Sequence, residues 1–259
     1  MIRDTFILAV VTALIGSRVV CGAPITWGAA TDSAGPGDVD VTGGAVLYAF
    51  NGGDTAPGVN GNTLTFDPIT VAGISFEHAN FADLPAGITF AATGADSGDS
   101  PQEGVLNDVY AGNSMTSTGS AHYDELLLSF AFTQGTPSGI ETGDMVFSGL
   151  TDGMDYQIQV WFNDQRDGQD DRTMLFGDDL GNTVAIDGGD PASGVQVDAY
   201  GQFAIGTFTA SGLSQVLSME TGGFGNLHVN AVLLQAVPEP GAGVLLILGA
   251  LALVARRPR

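Results

Sequence analysis

The chain has 259 residues, including 38 glycines, and carries a formal net charge of −22 with seven arginines and no lysine. A surface this acidic repels nucleic-acid phosphates, so nucleic-acid binding is excluded as a function. The single cysteine, Cys21, lies near the start, so no disulfide framework supports the rest of the chain.

The first 23 residues have the layout of a secretory signal peptide. An arginine precedes the apolar segment 6–16, and the small residues Gly22 and Ala23 follow. This is the order of a charged region, an apolar core and a small-residue cleavage site. We expect residues 1–23 to form a signal helix that is removed on export. Pro24 is unfavourable directly after a cut, so cleavage after Gly22 is the alternative.

Residues 24–236 form the body, which is long enough for one large domain with its own core. The body contains 27 of the 29 acidic residues and two of the seven arginines, a net charge of −25. Abundant glycine and the scarcity of long amphipathic patterns favour an all-β domain. The carboxylates serve either solubility in a saline medium, which is the favoured interpretation, or the binding of divalent cations.

About ten short strands are predicted, at a spacing typical of an antiparallel β-sandwich of the jelly-roll type. Residues 93–119 are expected to be loop. The segment His122–Phe130 is the one predicted helix of the body, because acidic residues lie in its first turn. The predicted strands are Val46–Asn51, Thr63–Phe66, Ile74–Phe76, Ile88–Phe90, Met145–Leu150, Tyr156–Phe162, Arg172–Gly177, Thr183–Asp187, Gln202–Thr209, Ser214–Glu220 and Leu227–Gln235.

The clearest strand is Tyr156–Phe162, in which apolar residues alternate with Gln157, Gln159 and Trp161. This period of two predicts a half-buried strand with Trp161 on its polar face. An exposed indole ring could stack on the face of a sugar. The alternative is that Trp161 packs beneath a neighbouring loop.

The segment Gly149–Phe162 joins a Gly-Leu turn to a Tyr-x-hydrophobic strand, and Arg172-Thr173-Met174 opens the next strand. This order resembles the central hairpin of malectin-like and galactose-binding-like jelly rolls. The resemblance implies a jelly-roll fold and glycan binding through loops at one end of the sandwich. It also implies that a structural calcium ion accompanies the fold in many members.

The loop 163–171 is the most polar connection of the body. Its four aspartates fall within eight positions around a glycine and could supply oxygen ligands to Ca²⁺; they are Asp164, Asp167, Asp170 and Asp171. An EF-hand is excluded, because Met174 occupies the twelfth position, where a glutamate is required. A solvated acidic loop is the favoured alternative.

The candidate glycan contacts lie in and around the same loop: Trp161, Asn163, Asp164, Arg166 and Arg172. Arginine, asparagine and aspartate side chains can pair with vicinal hydroxyl groups. Both arginines of the body fall in this short region of an otherwise acidic chain. The alternative is that the two arginines pair with nearby aspartates.

No catalytic constellation stands out in the body. It lacks an HExxH motif, a GxSxG motif and a cysteine nucleophile. Its 27 carboxylates are too many for spacing alone to select an acid–base pair. We therefore expect a protein without enzymatic activity. The alternative is a secreted polysaccharide hydrolase that uses two carboxylates.

The last 23 residues combine Val237-Pro238-Glu239-Pro240, the uncharged apolar run 241–255 and Arg256-Arg257-Pro258-Arg259. As a helix the apolar run would reach ~22 Å, short of the ~30 Å hydrocarbon core of a bilayer, and its arginines would stay on the cytoplasmic side. This order resembles the bacterial PEP-CTERM sorting signal, and the matching residues are Pro238, Glu239, Pro240, Arg256 and Arg257.

The PEP-CTERM resemblance implies export through a Gram-negative inner membrane and recognition by an exosortase-type membrane protease. It also implies delivery to the cell envelope, the outer surface or the extracellular matrix, with the tail as a transmembrane helix. A plain membrane anchor or a buried apolar helix is the alternative. The predicted organisation is thus a signal peptide (1–23), an exported β-sandwich (24–236) that binds extracellular polysaccharide or has a structural role, and a sorting tail (237–259).

Overall fold

The computed structural model describes residues 22–53, 65–94, 101–105, 117–133, 140–164, 172–188, 200–223 and 225–238. Residues 1–21 of the predicted signal helix and most of the sorting tail, including Glu239, Pro240, Arg256 and Arg257, lie outside these residues. Within the described part, no helix has the length and hydrophobicity that crossing a membrane requires.

The described residues are mostly β-structure with one short helix, as predicted. The helix α1 comprises Ala121–Leu128, and a 3-10 turn comprises Pro36–Asp38. The strands are β1 Thr26–Trp27, β2 Thr31–Asp32, β3 Val46–Gly52, β4 Ile69–Val71, β5 Ile74–Ala79, β6 Ile88–Gly94, β7 Pro101–Val105, β8 Ser129–Thr133, β9 Glu141–Ser148, β10 Asp155–Phe162, β11 Thr173–Gly177, β12 Thr183–Asp187, β13 Gln202–Thr209, β14 Ser214–Thr221, β15 His228–Val229 and β16 Ala231–Ala236.

The largest sheet, here called the first sheet, has the strand order β1-β13-β10-β16-β3-β5-β4, with β2 also paired to β13. Strand β10 is central and is antiparallel to both neighbours, with Tyr156 opposite Phe208 on one side and Ala236 on the other. The prediction of an antiparallel sandwich is wrong for one pair of the described strands, because β3 and β5 are parallel.

The second sheet has the order β12-β11-β14-β9-β6 and is antiparallel throughout. Consecutive strands repeatedly change sheet: β9 lies in the second sheet, β10 in the first, β11 and β12 in the second, β13 in the first and β14 in the second. Strands β7, β8 and β15 form a small third sheet.

The main core lies between the first and second sheets. Alternate residues of β10, such as Ile158 and Val160, pack in one cluster with Phe147 of β9 and Phe176 of β11. All four side chains are fully buried. This is the face-to-face packing expected when two sheets share their apolar faces.

A second core covers the opposite face of the first sheet, here called the outer face. Helix α1 lies on it and contributes Tyr123, Leu126 and Leu127, which cluster with Trp161 of β10 and Leu233 of β16. Ser120 caps the helix by accepting a hydrogen bond from the backbone N–H of Tyr123. Strand β10 is therefore buried on both faces, so the prediction of a half-buried strand is wrong.

Two glutamines on the outer face hold the segment 38–42 against the sheet. Gln159 Nε2 donates to the carbonyl of Asp38 (2.7 Å), and its Oε1 accepts from the N–H of Asp40 (3.0 Å). Gln235 makes the same kind of pair with the carbonyl of Asp40 and the N–H of Thr42. Each side-chain amide thus replaces a strand partner, which lets polar residues sit fully buried in the sheet.

Most predicted strands are present, with shifts of up to four residues at their ends. The predicted helix ends two residues early, and the chain continues as β8 from Ser129. Residues 101–105, which were expected to be loop, form β7. The last predicted strand is interrupted at Asn230 between β15 and β16. Thr65 and Phe66 of the predicted strand Thr63–Phe66 are not in a strand, and Thr63 and Leu64 lie outside the described residues.

The body has two distinct ends. The exit end contains the short turns 149–154, 178–182 and 210–213, and both Pro24 and Val237 lie there. The loop end, at the opposite end of the strands, contains the last residues of β3, β10 and β12 and the first residues of β11, β13 and β16. The long connections 163–172 and 188–201 leave and return at the loop end.

Candidate functional site at the loop end

Two of the predicted site residues, Asp164 and Arg172, meet at the loop end, directly after β10 and before β11. Arg172 Nη1 donates to Asp164 Oδ2 at 2.5 Å, and Arg172 Nη2 donates to the carbonyl of Asn226 at 2.5 Å. The Arg172 side chain is 9% exposed and that of Asp164 is 0% exposed. Of the two alternatives for Arg172, the structure therefore matches pairing with a nearby aspartate.

This buried ion pair joins three connections of the loop end. The N–H of Asp164 donates to the carbonyl of Gly188 (2.9 Å), and the N–H of Gly188 donates to the carbonyl of Arg172 (2.9 Å). Asn226 belongs to the connection that follows β14. The pair therefore fixes where the connections after β10, β12 and β14 start or end, and it provides a rigid base for them.

His228 lies beside the ion pair and was not expected to be part of a site. Its Nδ1 is 3.7 Å from Asp164 Oδ2, and its ring is buried. The ring stacks on Phe130 (4.3 Å between centroids) and meets the edge of Phe162 (5.0 Å). Sequence reasoning missed His228 because it belongs to no metal or catalytic motif; its position inside an apolar strand was the only signal.

A cluster of buried amides continues from the ion pair toward helix α1. The N–H of Asn163 donates to Asn230 Oδ1 (2.7 Å), and both asparagines donate from Nδ2 to the carbonyl of Leu127, at 2.8 and 2.7 Å. Asn230 Nδ2 also donates to the carbonyl of Ser129. These bonds satisfy carbonyls at the C-terminal end of the helix, which have no partner within the helix itself.

The structure does not support a glycan contact by Trp161. The ring is 0% exposed and lies in the outer core, 6.0 Å from Phe76 in an edge-on arrangement and 6.3 Å from Phe203. The sequence pattern predicted that Trp161 faces solvent, but helix α1 covers that face of the sheet. The alternative, in which Trp161 packs beneath another part of the chain, is the one observed.

The predicted metal ligands are only partly described. Arg166, Asp167, Asp170 and Asp171 lie outside the described residues, and Asp164 is occupied by its arginine. Among the residues that the structure describes, no group of three or more His, Cys, Asp or Glu side chains could hold a metal ion. Calcium binding by this loop therefore stays a prediction.

A polar groove of about 510 Å³ lies at the exit end. One carboxylate, Asp155, lines it and accepts a hydrogen bond from Thr209 Oγ1 at 2.5 Å. The other lining residues are Pro24, Thr26, Tyr156, Thr207, Phe208 and Val237. Acid–base hydrolysis of a glycosidic bond needs two facing carboxylates, and the described residues that line this groove include one.

Asp178 is the other electrostatic feature of the exit end. Burial raises the pKa of its carboxyl group, but four hydrogen bonds outweigh burial and hold the pKa below its ordinary value. The donors are the N–H groups of Ile25, Leu180 and Asn182 and the side-chain amide of Asn182, at 2.7–3.0 Å. The ionised carboxylate thus links the start of the body to the turn between β11 and β12.

No protein-family model matches the chain, and no curated protein matches it. The enzymatically active domain of tailspike protein 4 of bacteriophage CBA120 aligns with 58% of this chain and 18% of its own, at 13% identity and a TM-score of 0.27. A structure of promiscuous carbohydrate-binding modules from the β-sandwich superfamily aligns with 83% of this chain and 96% of its own, at 12% identity and a TM-score of 0.25. TM-scores this low carry no argument about fold or function.

Proposed function

We propose that this chain is an exported protein of the cell envelope or extracellular matrix, delivered by a PEP-CTERM and exosortase-type system. Its body is a jelly-roll sandwich that has no enzymatic activity and binds extracellular polysaccharide or acts as a structural surface component. The proposed export and sorting rest on the two ends of the sequence, and the proposed binding role rests on the body.

The observation that carries the proposal is the separation of the two ends of the body. Pro24, which follows the predicted signal segment, and Val237, which precedes the sorting motif, line one groove at the exit end. Val237 is still bonded to the sheet, through its N–H and the carbonyl of Asp155 (2.8 Å). A chain held by its tail would therefore present the loop end away from the membrane.

The strand order supports the jelly-roll proposal. In the first sheet β13, β10, β16 and β3 are neighbours, and in the second sheet β12, β11, β14 and β9 are neighbours. A jelly roll of two Greek keys is expected to have eight strands in this order, with successive strands crossing between two sheets. Functional groups of such scaffolds are concentrated in the loops that the rigid sheets position.

The buried ion pair supports placing the ligand site at the loop end. Asp164 and Arg172 fix the two ends of the connection that contains Arg166 and three more aspartates. In this proposal Arg166 and the carboxylates of Asp167, Asp170 and Asp171 contact sugar hydroxyl groups, and calcium, where bound, is held by the same carboxylates. Asn163 and Arg172, which flank this connection and are bonded to the body, hold its two ends in place.

A glycan-array screen of the mature exported protein, with calcium and again with chelator, tests the proposal. We expect binding that is lost in Arg166→Ala at the loop end and retained in Thr209→Ala at the exit end. Binding lost only in Thr209→Ala would move the site to the exit-end groove. If the protein binds no glycan under either condition, the carbohydrate role is wrong and only the structural role remains.

A further inference from the structure

The start of the described chain is part of the folded core. Ala23 and Ile25 are each 2% exposed, and both belong to the main core cluster. The N–H of Ala23 donates to Gln215 Oε1 at 2.8 Å, and Gln215 Nε2 donates back to the carbonyl of Ala23 at 3.0 Å. Gln215 is itself 1% exposed, so its amide relies on partners within the protein.

These contacts discriminate between the two candidate cleavage positions. Cleavage after Ala23 would remove both backbone groups that Gln215 binds and leave a buried amide without them, which is costly. Cleavage after Gly22 would keep both bonds, because the nitrogen of Ala23 would become an ammonium group and would still donate. A cut after Ala23 would also make Pro24 the first residue of the mature protein, and proline is unfavourable directly after a cleavage site.

The surroundings of the Gly22–Ala23 bond suit a positive charge. A Cβ placed on Gly22 would overlap Asp179 Oδ1, so this carboxylate lies against the backbone just before Ala23. Asp178 lies close by and binds the N–H of Ile25. A carboxylate and an amide oxygen near a new ammonium group are the partners that stabilise it.

We propose that a signal-peptidase-type membrane protease cuts between Gly22 and Ala23, and that Gln215 and Asp179 then hold the α-ammonium group of Ala23. Water is the second reactant: the C–N bond breaks, Gly22 gains a carboxylate and Ala23 gains the ammonium group. This inference rests on the proposed export and moves the predicted boundary by one residue.

The composition makes the test direct. The chain has no lysine, so the α-amine is the only primary amine of the mature protein. The full chain is expressed in a Gram-negative host, the exported protein is reductively dimethylated, and the labelled peptide is sequenced by mass spectrometry after cleavage at aspartate. We expect one labelled peptide that begins at Ala23.

The possible outcomes separate the two proposals. A labelled peptide that begins at any other position after the apolar segment overturns the assignment of Ala23 but leaves export intact. A chain that still begins at Met1 contradicts the proposed export itself. Both outcomes are read from the same spectrum.

A second measurement tests the role of Asp179. Dimethylation with ¹³C-labelled methyl groups adds an NMR signal at the α-amine, and the dependence of its chemical shift on pH gives the pKa of this amine. We expect a pKa above the ordinary value of about 7.7–8.0 and a decrease toward it in Asp179→Asn. Asp152→Asn, which removes an exposed carboxylate from another turn of the exit end, is the matched control. Equal pKa values in all three proteins would overturn the role of Asp179.

Discussion

Replacement of Arg172 by methionine tests the buried ion pair of the loop end. The change removes the 2.5 Å bond to Asp164 and the 2.5 Å bond to the carbonyl of Asn226, while it keeps an apolar stem of similar length. Because both side chains are buried, their interaction is screened little by solvent. Removing one partner of such a pair costs about 3–5 kcal/mol, since the other charge stays buried.

The free energy of unfolding, measured by urea denaturation and circular dichroism, should fall by that amount. For a domain of this size the change corresponds to a decrease in Tm of roughly 6–20 °C. Arg172→Lys should lose less, because a lysine keeps the charge but cannot form the forked pair of bonds. The loss relative to wild type should be the same in low and high salt.

The double variant Asp164→Asn, Arg172→Met decides whether charge is the cause. It no longer buries a lone carboxylate, so it should recover to within about 2 kcal/mol of wild type. If Arg172→Met alone loses less than about 1 kcal/mol, the pair contributes little to stability. If the double variant is no more stable than the single one, lost packing rather than buried charge explains the effect.

Three further predictions concern single residues. Gln159→Leu should lower the free energy of unfolding by about 2 kcal/mol, since it removes two hydrogen bonds. The rate of amide hydrogen exchange should also rise at residues 38–42. Unchanged exchange there would contradict the inference that this glutamine holds the segment against the sheet. Asp178→Asn should have a lower free energy of unfolding than wild type at pH 7, and the difference should shrink as the pH falls below about 4. The reason is that a carboxylate with a lowered folded-state pKa stabilises the folded protein above its unfolded-state pKa and loses that contribution as it protonates. A difference that is constant from pH 7 to 3 would refute this. Trp161→Ala should cost about 3–5 kcal/mol and leave glycan binding per folded molecule unchanged, whereas selective loss of binding would return the ring to the ligand site.

The alternation in β10 shows what sequence patterns can predict. The period of two correctly divided its residues between two faces, and Ile158 and Trp161 do point to opposite sides. The pattern could not show that helix α1 and the segment 38–42 cover the second face, because both come from distant parts of the chain. Polar residues such as Gln159 look solvent-facing in sequence, yet here they bind backbone groups inside the protein.

The loop end shows a different limit. Asp164 and Arg172 were both singled out, but the sequence left open whether they face a ligand or each other. Their meeting depends on how the connection 163–172 returns to the second sheet, and nothing local in the sequence encodes that path. His228 joins them through the pairing of β15 with β8, and the short β15 has no alternation long enough to predict it.

Both ends of the body lie at the exit end, and this arrangement permits circular permutation of the body. Thr26 on β1 and Ala236 on β16 are separated by the two strands β13 and β10, a distance of three strand spacings, or about 14 Å. A linker of about five residues reaches that far. New termini could then be opened between Asp164 and Arg172, and the same sandwich would display a fused peptide from its loop end.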